Sequence, residues 1–209
     1  MALLILGHPQ IKKSIANKAI IEEIERKNPD IEIRNLAVLY PDFSINVEEE
    51  QKALLRHEIV VLQYPLYWYN MPAILKHWFD VIFEHQFAYG SKGDKLKGKK
   101  LLTSVTVGSV EQEYKPFGKH NFRIAEFFKN IEQTAYFAQM NFLDPMFFHG
   151  TSAVDGFTED KIKERARLYA DRLIDYIEDL QYLREVVLLQ SFQNLVGLYL
   201  LRLTFTVIL

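Results

Sequence analysis

Apolar residues gather into short unbroken runs along the chain, and between those runs they recur every three or four positions. "ALLIL" (2–6) has no polar member, and "EIVVLQYP" (58–65) and "KKLLTSVTVG" (99–108) are two further runs. Short continuous runs of this kind predict strands buried on both faces. "IEIRNL" (31–36) alternates apolar and polar, as an edge or half-buried strand does, and "NFLDPMFF" (141–148) contains a last extended segment. The longer period predicts helices. Over 15–27, Ile15, Ala19 or Ile20, and Ile24 share one side, and Asn28 and Pro29 stop the helix. Residues 47–56 form a short charged helix after the loop "PDFSI", and Pro72 opens another that runs to about Phe83. Residues 121–140 read as helical. Thr158 caps a helix to about Leu180, with Glu159 and Asp160 in its first turn and Ile162, Ala166, Tyr169, Leu173 and Ile177 as its apolar face.

Repeated strand–helix alternation predicts a parallel sheet with helices on both faces and right-handed crossovers. The expected architecture is α/β: a three-layer, flavodoxin-like fold with five parallel strands in the order 2-1-3-4-5. Such sheets bind ligands beyond the C-terminal strand ends, where the strand order reverses. The loops to inspect are therefore 7–14, 65–71 and 106–120. No repeat or low-complexity linker divides the chain. Residues 1–183 are taken as the α/β domain and 184–209 as an apolar C-terminal extension.

The chain has 209 residues, 49% hydrophobic and 25% charged, which suits a globular protein with a substantial core. Its 25 basic and 27 acidic residues give a formal charge of −2, which argues against general nucleic-acid binding. There is no cysteine, so disulfides, thiolate catalysis and zinc–thiolate sites are excluded. The N-terminus enters a strand without the pattern of a signal peptide, and a cytoplasmic protein is expected, with attachment at the inner membrane face as a variant. Fifteen Phe and eleven Tyr are a surplus that composition alone does not explain.

In the first loop, the N-terminus of the following helix suits an anion. His8, Ser14 and Asn17 add donors, and Lys12 and Lys13 add positive potential; the plainer alternative is that Ser14 is only a cap. The second loop, "YPLYWYNMP" (64–72), places Tyr67, Trp68 and Tyr69 together, either as walls for a heteroaromatic ring or as a packing surface. In the third loop Gly108 allows close backbone approach, and Tyr114 and His120 are its proton-handling pair. Other signatures fail. "GDKLKGK" (93–99) has Lys100 where a P-loop needs Ser or Thr, and it precedes a strand. No G-x-G-x-x-G, H-E-x-x-H or G-x-S-x-G occurs, and the histidines at 8, 57, 77, 85, 120 and 149 are scattered, so no metal site is expected.

Together the loops resemble the flavodoxin-like NAD(P)H:quinone oxidoreductases, of the DT-diaphorase and potassium-efflux ancillary flavoprotein type, over roughly residues 2–180. The resemblance rests on "GHP" with "SIAN" (14–17), on "PLYWYNMPAILKHWFD" (65–80), which is its most specific stretch, on "FAYG" (87–90), and on Thr106, Gly108, Tyr114 and His120. It implies a bound FMN or FAD, with FMN preferred, and NAD(P)H as hydride donor. By resemblance His8, Ser14, Ile15, Ala16 and Asn17 contact the flavin phosphate, Pro65, Leu66, Tyr67 and Trp68 lie along the isoalloxazine, and Thr106, Val107, Gly108 and Ser109 meet its pyrimidine edge. Tyr114 and His120 would be catalytic in two-electron reduction of a quinone. A homodimer is implied, with Phe87 and Tyr89 near the partner's active site. The alternative is a flavin-binding regulatory subunit of a glutathione-gated potassium efflux antiporter. The chain departs from the family's T-T-G-G with "TVGS" (106–109): Val107 lacks a hydroxyl and Ser109 adds a Cβ. A one-electron flavodoxin carrier is disfavoured, since the chain is not strongly acidic and lacks T-x-T-G-x-T.

"VVLLQSFQNLVGLYLLRLTFTVIL" (186–209) lies outside the resemblance. Gln190, Ser191, Gln193, Asn194 and Arg202 interrupt its apolar run, whereas a spanning helix needs about 20 mostly apolar residues. A further helix packed on the domain or across a dimer is expected. A membrane-associated tail and an accidental extension of the reading frame are the other readings.

Overall fold

A computed structural model of the chain describes residues 1–152 and 156–206, with side chains described through Leu183 and at Val186. The sheet has the order β2-β1-β3-β4-β5, with β6 also paired to β4. Its strands are β1 (Ala2–Leu6), β2 (Glu32–Asn35), β3 (Ile59–Pro65), β4 (Lys100–Thr106), β5 (Asn141–Phe142) and β6 (Met146–Phe148). All pairings are parallel, and Val61 of β3 lies between Leu4 of β1 and Leu102 of β4. Every residue of β1 and β3 is buried, as their unbroken apolar runs require.

The fifth position of the sheet is filled by two pieces. β5 pairs with Lys100 and Leu101 at the start of β4, and β6 with Ser104–Thr106 at its end. Between them sits Asp144–Pro145, where proline has no N–H to give to a ladder. Helices cover both faces of the sheet: α1 (Ala16–Lys27), α2 (Leu36–Leu39), α3 (Val47–Arg56), α4 (Ala73–Ile82), α5 (Lys129–Phe137) and α6 (Glu159–Thr206). Ile162, Ala166, Tyr169 and Leu173 of α6 are all buried, as their spacing predicts.

Three boundaries differ from the sequence reading. The run 31–36 ends as a strand at Asn35, and Leu36 starts the short α2. The helix expected over 121–140 is α only from Lys129; a 3-10 turn, Ile124–Phe128, precedes it, and Asn121 has φ 61°. Here tertiary ring packing overrides helical spacing: Phe127 stacks on Tyr69 with centroids 4.9 Å apart, and Phe122 meets Phe127 edge-on. α6 does not stop near Leu180 but runs to Thr206. Between Gln181 and Thr206 the sequence has no proline and a single glycine, Gly197, so nothing breaks the helix.

The chain divides into two compact units, Met1–Leu173 and Ile174–Leu209. The first holds every strand and α1–α5; the second is the continuation of α6. Most side chains of the extension lie outside the described residues. Among the described residues no helix is long and apolar enough to cross a membrane.

Candidate active site

A cleft of about 340 Å³ opens beyond the C-terminal ends of β1, β3 and β4. The β1 loop contributes His8, Gln10, Lys13, Ser14, Ile15, Ala16 and Asn17; the β3 loop, Pro65, Leu66 and Tyr67; the β4 loop, Thr106 and Gly108. Thr151, from the segment after β6, completes the wall. Its size falls within the range of small-molecule sites.

The first loop is short on glycine because it needs only one. A Cβ on Gly7 would stand 2.8 Å from the Leu75 Cβ, so glycine here lets α4 approach the end of β1. Ser14 is extended (φ −86°, ψ 127°), and its Oγ accepts the Asn17 N–H at 3.1 Å. This is a helix cap, and it places the hydroxyl at the cleft floor beside the positive end of α1. Lys12 and Lys13 are exposed at the same end. His8 is buried, and its Nδ1 accepts the Gln10 N–H at 3.0 Å. The neutral ring therefore carries its proton on Nε2, and burial holds its pKa below the ordinary histidine value.

The floor is polar and tied together by side-chain hydrogen bonds. Asn17 Nδ2 donates to Thr106 Oγ1 at 2.8 Å, and Gln63 Nε2 donates to Asn17 Oδ1 at 2.8 Å. Gln63 and Ser104 were missed in sequence reasoning. Their signal was available: polar side chains inside "EIVVLQYP" and "LLTSVTV", runs otherwise buried on both faces.

The second loop makes a tight two-residue turn closed by Tyr67 N–H to Asn70 O at 2.9 Å and Asn70 N–H to Tyr67 O at 3.0 Å. Trp68 (φ 48°) and Tyr69 (φ 62°) occupy its left-handed corners, a backbone that bulky residues adopt at a cost of order 1–3 kcal/mol each. Tyr67 lines the cleft. Trp68 stands 93% exposed beyond it.

The third loop holds an aromatic cluster. His120 Nε2 and Ser109 Oγ are 2.9 Å apart, and His120 Nδ1 is 3.3 Å from Tyr69 Oη. Tyr114 stacks on His120 and meets His149 edge-on at 5.6 Å. Burial pushes the Tyr114 phenol up to about 12, so it stays protonated. His149, not singled out in sequence, donates from Nδ1 to Ser109 O at 3.2 Å, and burial lowers its pKa. Arg165 ties down the following segment by donating to His149 O (2.8 Å) and Gly150 O (3.2 Å). Its guanidinium also lies over Phe148 and Phe157.

Of the residues singled out from sequence, His8, Ser14, Ile15, Ala16, Asn17, Pro65, Leu66, Tyr67, Thr106 and Gly108 line one cleft. Trp68, Val107, Ser109, Tyr114 and His120 are not among its lining residues. Val107 is wholly buried, and its backbone joins Phe148 O and Thr151. Phe87 belongs to the core of its own chain, whereas Tyr89 is exposed. Gln10, Lys13 and Thr151 join the lining.

The sequence matches the Flavodoxin_2 family, flavodoxin-like fold, over residues 1–173. It is 38% identical over 176 residues to the uncharacterized NAD(P)H oxidoreductase YrkL of Bacillus subtilis, covering 84% of this chain and 97% of the relative. It is 37% identical over 179 residues to the glutathione-regulated potassium-efflux system ancillary protein KefF of an Enterobacter species, covering 85% and 98%. The general stress protein 14 of Treponema denticola, solved in complex with FMN, superposes with a TM-score of 0.75 at 32% identity, covering 83% and 98%. With strand order, cleft position and sequence in agreement, the chain belongs to the flavodoxin-like fold family.

Proposed function

We propose that the protein is an FMN-dependent NAD(P)H:quinone oxidoreductase. The observation that carries this reading is the cleft itself. Hydroxyl donors and a helix N-terminus share its lining with Leu66, Tyr67 and Gly108. That set fits a flat ring joined to a phosphate. A Cβ on Gly108 would meet nothing nearer than Ser152, at 4.0 Å, so the mouth stays open to a substrate. The names of the relatives, an NAD(P)H oxidoreductase and an FMN complex, agree in chemistry.

Ser14 and the α1 N-terminus would hold the phosphate, and Thr106, expected from the sequence at the pyrimidine edge, would join them because Asn17 Nδ2 bonds both hydroxyls; His8 Nε2–H would donate into the cleft, and Tyr67 would flank the ring. A bound flavin would supply the two-electron chemistry, with NAD(P)H and the quinone using the same place in turn. The residues position these groups and exclude water. His120, held between Ser109 and Tyr69, and the protonated Tyr114 supply hydrogen bonds where negative charge develops. Steady-state kinetics with NAD(P)H and benzoquinone test the shared place: parallel double-reciprocal lines are expected, and intersecting lines would exclude it.

The protein acts as a homodimer in this reading. An apolar groove of about 290 Å³ between α4, residues 88–89 and α5, lined by Phe79, Phe83, Tyr89, Ile131 and Phe137, suits a second copy. Sedimentation at the monomer mass would refute this. A second reading, a flavin-binding subunit of a potassium-efflux antiporter, is favoured by the near-complete overlap with KefF. Co-purification with such an antiporter distinguishes it.

A further inference from the structure

Behind the cleft floor runs an unbroken line of buried polar side chains. Asn17 directs both hydrogens of its amide at the floor hydroxyls, Thr106 Oγ1 at 2.8 Å and Ser14 Oγ at 3.3 Å. Its Oδ1 accepts from Gln63 Nε2 at 2.8 Å, and Gln63 Oε1 accepts from Ser104 Oγ at 2.6 Å. Ser104 Oγ lies 2.7 Å from the Tyr169 hydroxyl, which also reaches Met146 O at 3.1 Å. Asn17, Gln63, Ser104 and Tyr169 are each no more than 2% exposed.

Stability alone does not call for this line. Apolar side chains of the same shape in place of a buried hydrogen-bonded pair are nearly neutral or stabilising. The line instead has a direction. Ser104 donates to Gln63, Gln63 to Asn17, and Asn17 to Ser14 and Thr106, so each step leads toward the cleft. Ser14 Oγ already accepts two hydrogens, from the Asn17 amide and from the Asn17 backbone N–H. Among the described residues neither the Ser14 nor the Thr106 hydroxyl donates to a protein acceptor, so both hydrogens can turn into the cleft.

We infer that Asn17, Gln63 and Ser104 are positioning residues that set the Ser14 and Thr106 hydroxyls as donors into the cleft, and that this polarity selects a ligand carrying a phosphate at its floor. The inference rests on the flavin reading above and names what that site discriminates: flavin mononucleotide from unphosphorylated riboflavin. Gln63 and Ser104 are wholly buried, so an effect of either on ligand choice has to travel through Asn17.

The experiment titrates purified wild-type protein and Gln63→Met with FMN and with riboflavin, following flavin fluorescence. Gln63→Met should lower FMN affinity about tenfold, the loss of roughly one hydrogen bond's orientation, and leave riboflavin affinity nearly unchanged. In a background carrying both Ser14→Ala and Thr106→Val the same substitution should change neither, because both hydroxyls it orients are gone. Ser104→Ala, a smaller change at the far end of the line, should shift the ratio in the same sense and serves if Gln63→Met does not fold. A general structural role would weaken both ligands alike, and that result, or an unchanged FMN-to-riboflavin ratio, overturns the inference while leaving the flavin site standing. Wild-type protein that takes up neither ligand overturns the flavin reading, and the inference with it.

Discussion

Tyr114 lies flat against His120, their ring centroids 4.1 Å apart and their planes 11° from parallel. The two do not hydrogen-bond face to face as a relay would need. The nitrogens of His120 are turned instead to Ser109 Oγ and Tyr69 Oη. Stacking fixes the plane of the imidazole, and Ser109 and Tyr69 fix its rotation. His120→Gln should therefore keep flavin bound and slow reduction by NAD(P)H about tenfold, the worth of one lost hydrogen bond to a developing charge. Stopped-flow bleaching at the wild-type rate would remove His120 from the chemistry.

Stability should respond to pH through His8. Burial lowers its folded pKa below 6.5, so the unfolded chain binds more protons across that interval. Stability is then undiminished above about pH 6.5 and falls as the pH drops through the lowered folded value. His149, shifted the same way chiefly by burial, adds to the trend. Protonating His8 Nδ1 would also break the bond from Gln10 N–H. Thermal melts of His8→Gln should show a shallower loss between neutral and mildly acidic pH than wild type; equal slopes would contradict the assignment.

Glu50 is wholly buried and joins three elements. It accepts from Arg34 of β2 (2.6 Å to Nη2), from the Tyr40 hydroxyl after α2 (2.6 Å), and from Trp78 Nε1 of α4 (2.9 Å). Removing the cation strands a buried carboxylate, so Arg34→Met should cost about 3–5 kcal/mol. Trp78→Phe removes one neutral donor and should cost about 1–3 kcal/mol. Urea unfolding measures both, and a smaller loss for Arg34→Met than for Trp78→Phe would contradict this account of the network.

Gly7→Ala should be destabilising by about 1–3 kcal/mol through overpacking against Leu75. Its φ is not in the left-handed region, so the cost is one of space and not of backbone strain. Shortening the neighbour should therefore restore stability. If Gly7→Ala with Leu75→Ala is no better than the sum of the single changes, the close approach is not the cause.

The sheet was legible because β1, β3 and β4 are buried on both faces and leave uninterrupted apolar runs. The cleft was legible in part for the same reason: once strand order is known, the loops at 7, 65 and 106 must meet. What was hidden depends on contacts distant in sequence. Phe127 gives up regular helix to stack on Tyr69, and nothing in the spacing of 121–140 reveals that partner. Tyr169 was correctly placed on the buried face of α6, but its hydroxyl, 2.7 Å from Ser104, joins the polar line behind the floor only when the helix packs on β4. Tyr114 and His120 were legible as neighbours but not as a stack, since a separation of six residues in a loop leaves ring geometry undetermined.

In the proposed function FMN would occupy this cleft, with NAD(P)H as hydride donor and a quinone as acceptor. The most direct measurement is the visible spectrum of the purified, FMN-reconstituted protein under anaerobic titration with NAD(P)H and then with a quinone. Flavin absorbance should bleach with one equivalent of nucleotide and return on adding quinone. A protein that takes up no FMN, or whose bound flavin stays oxidised in excess NAD(P)H, would contradict the proposed function.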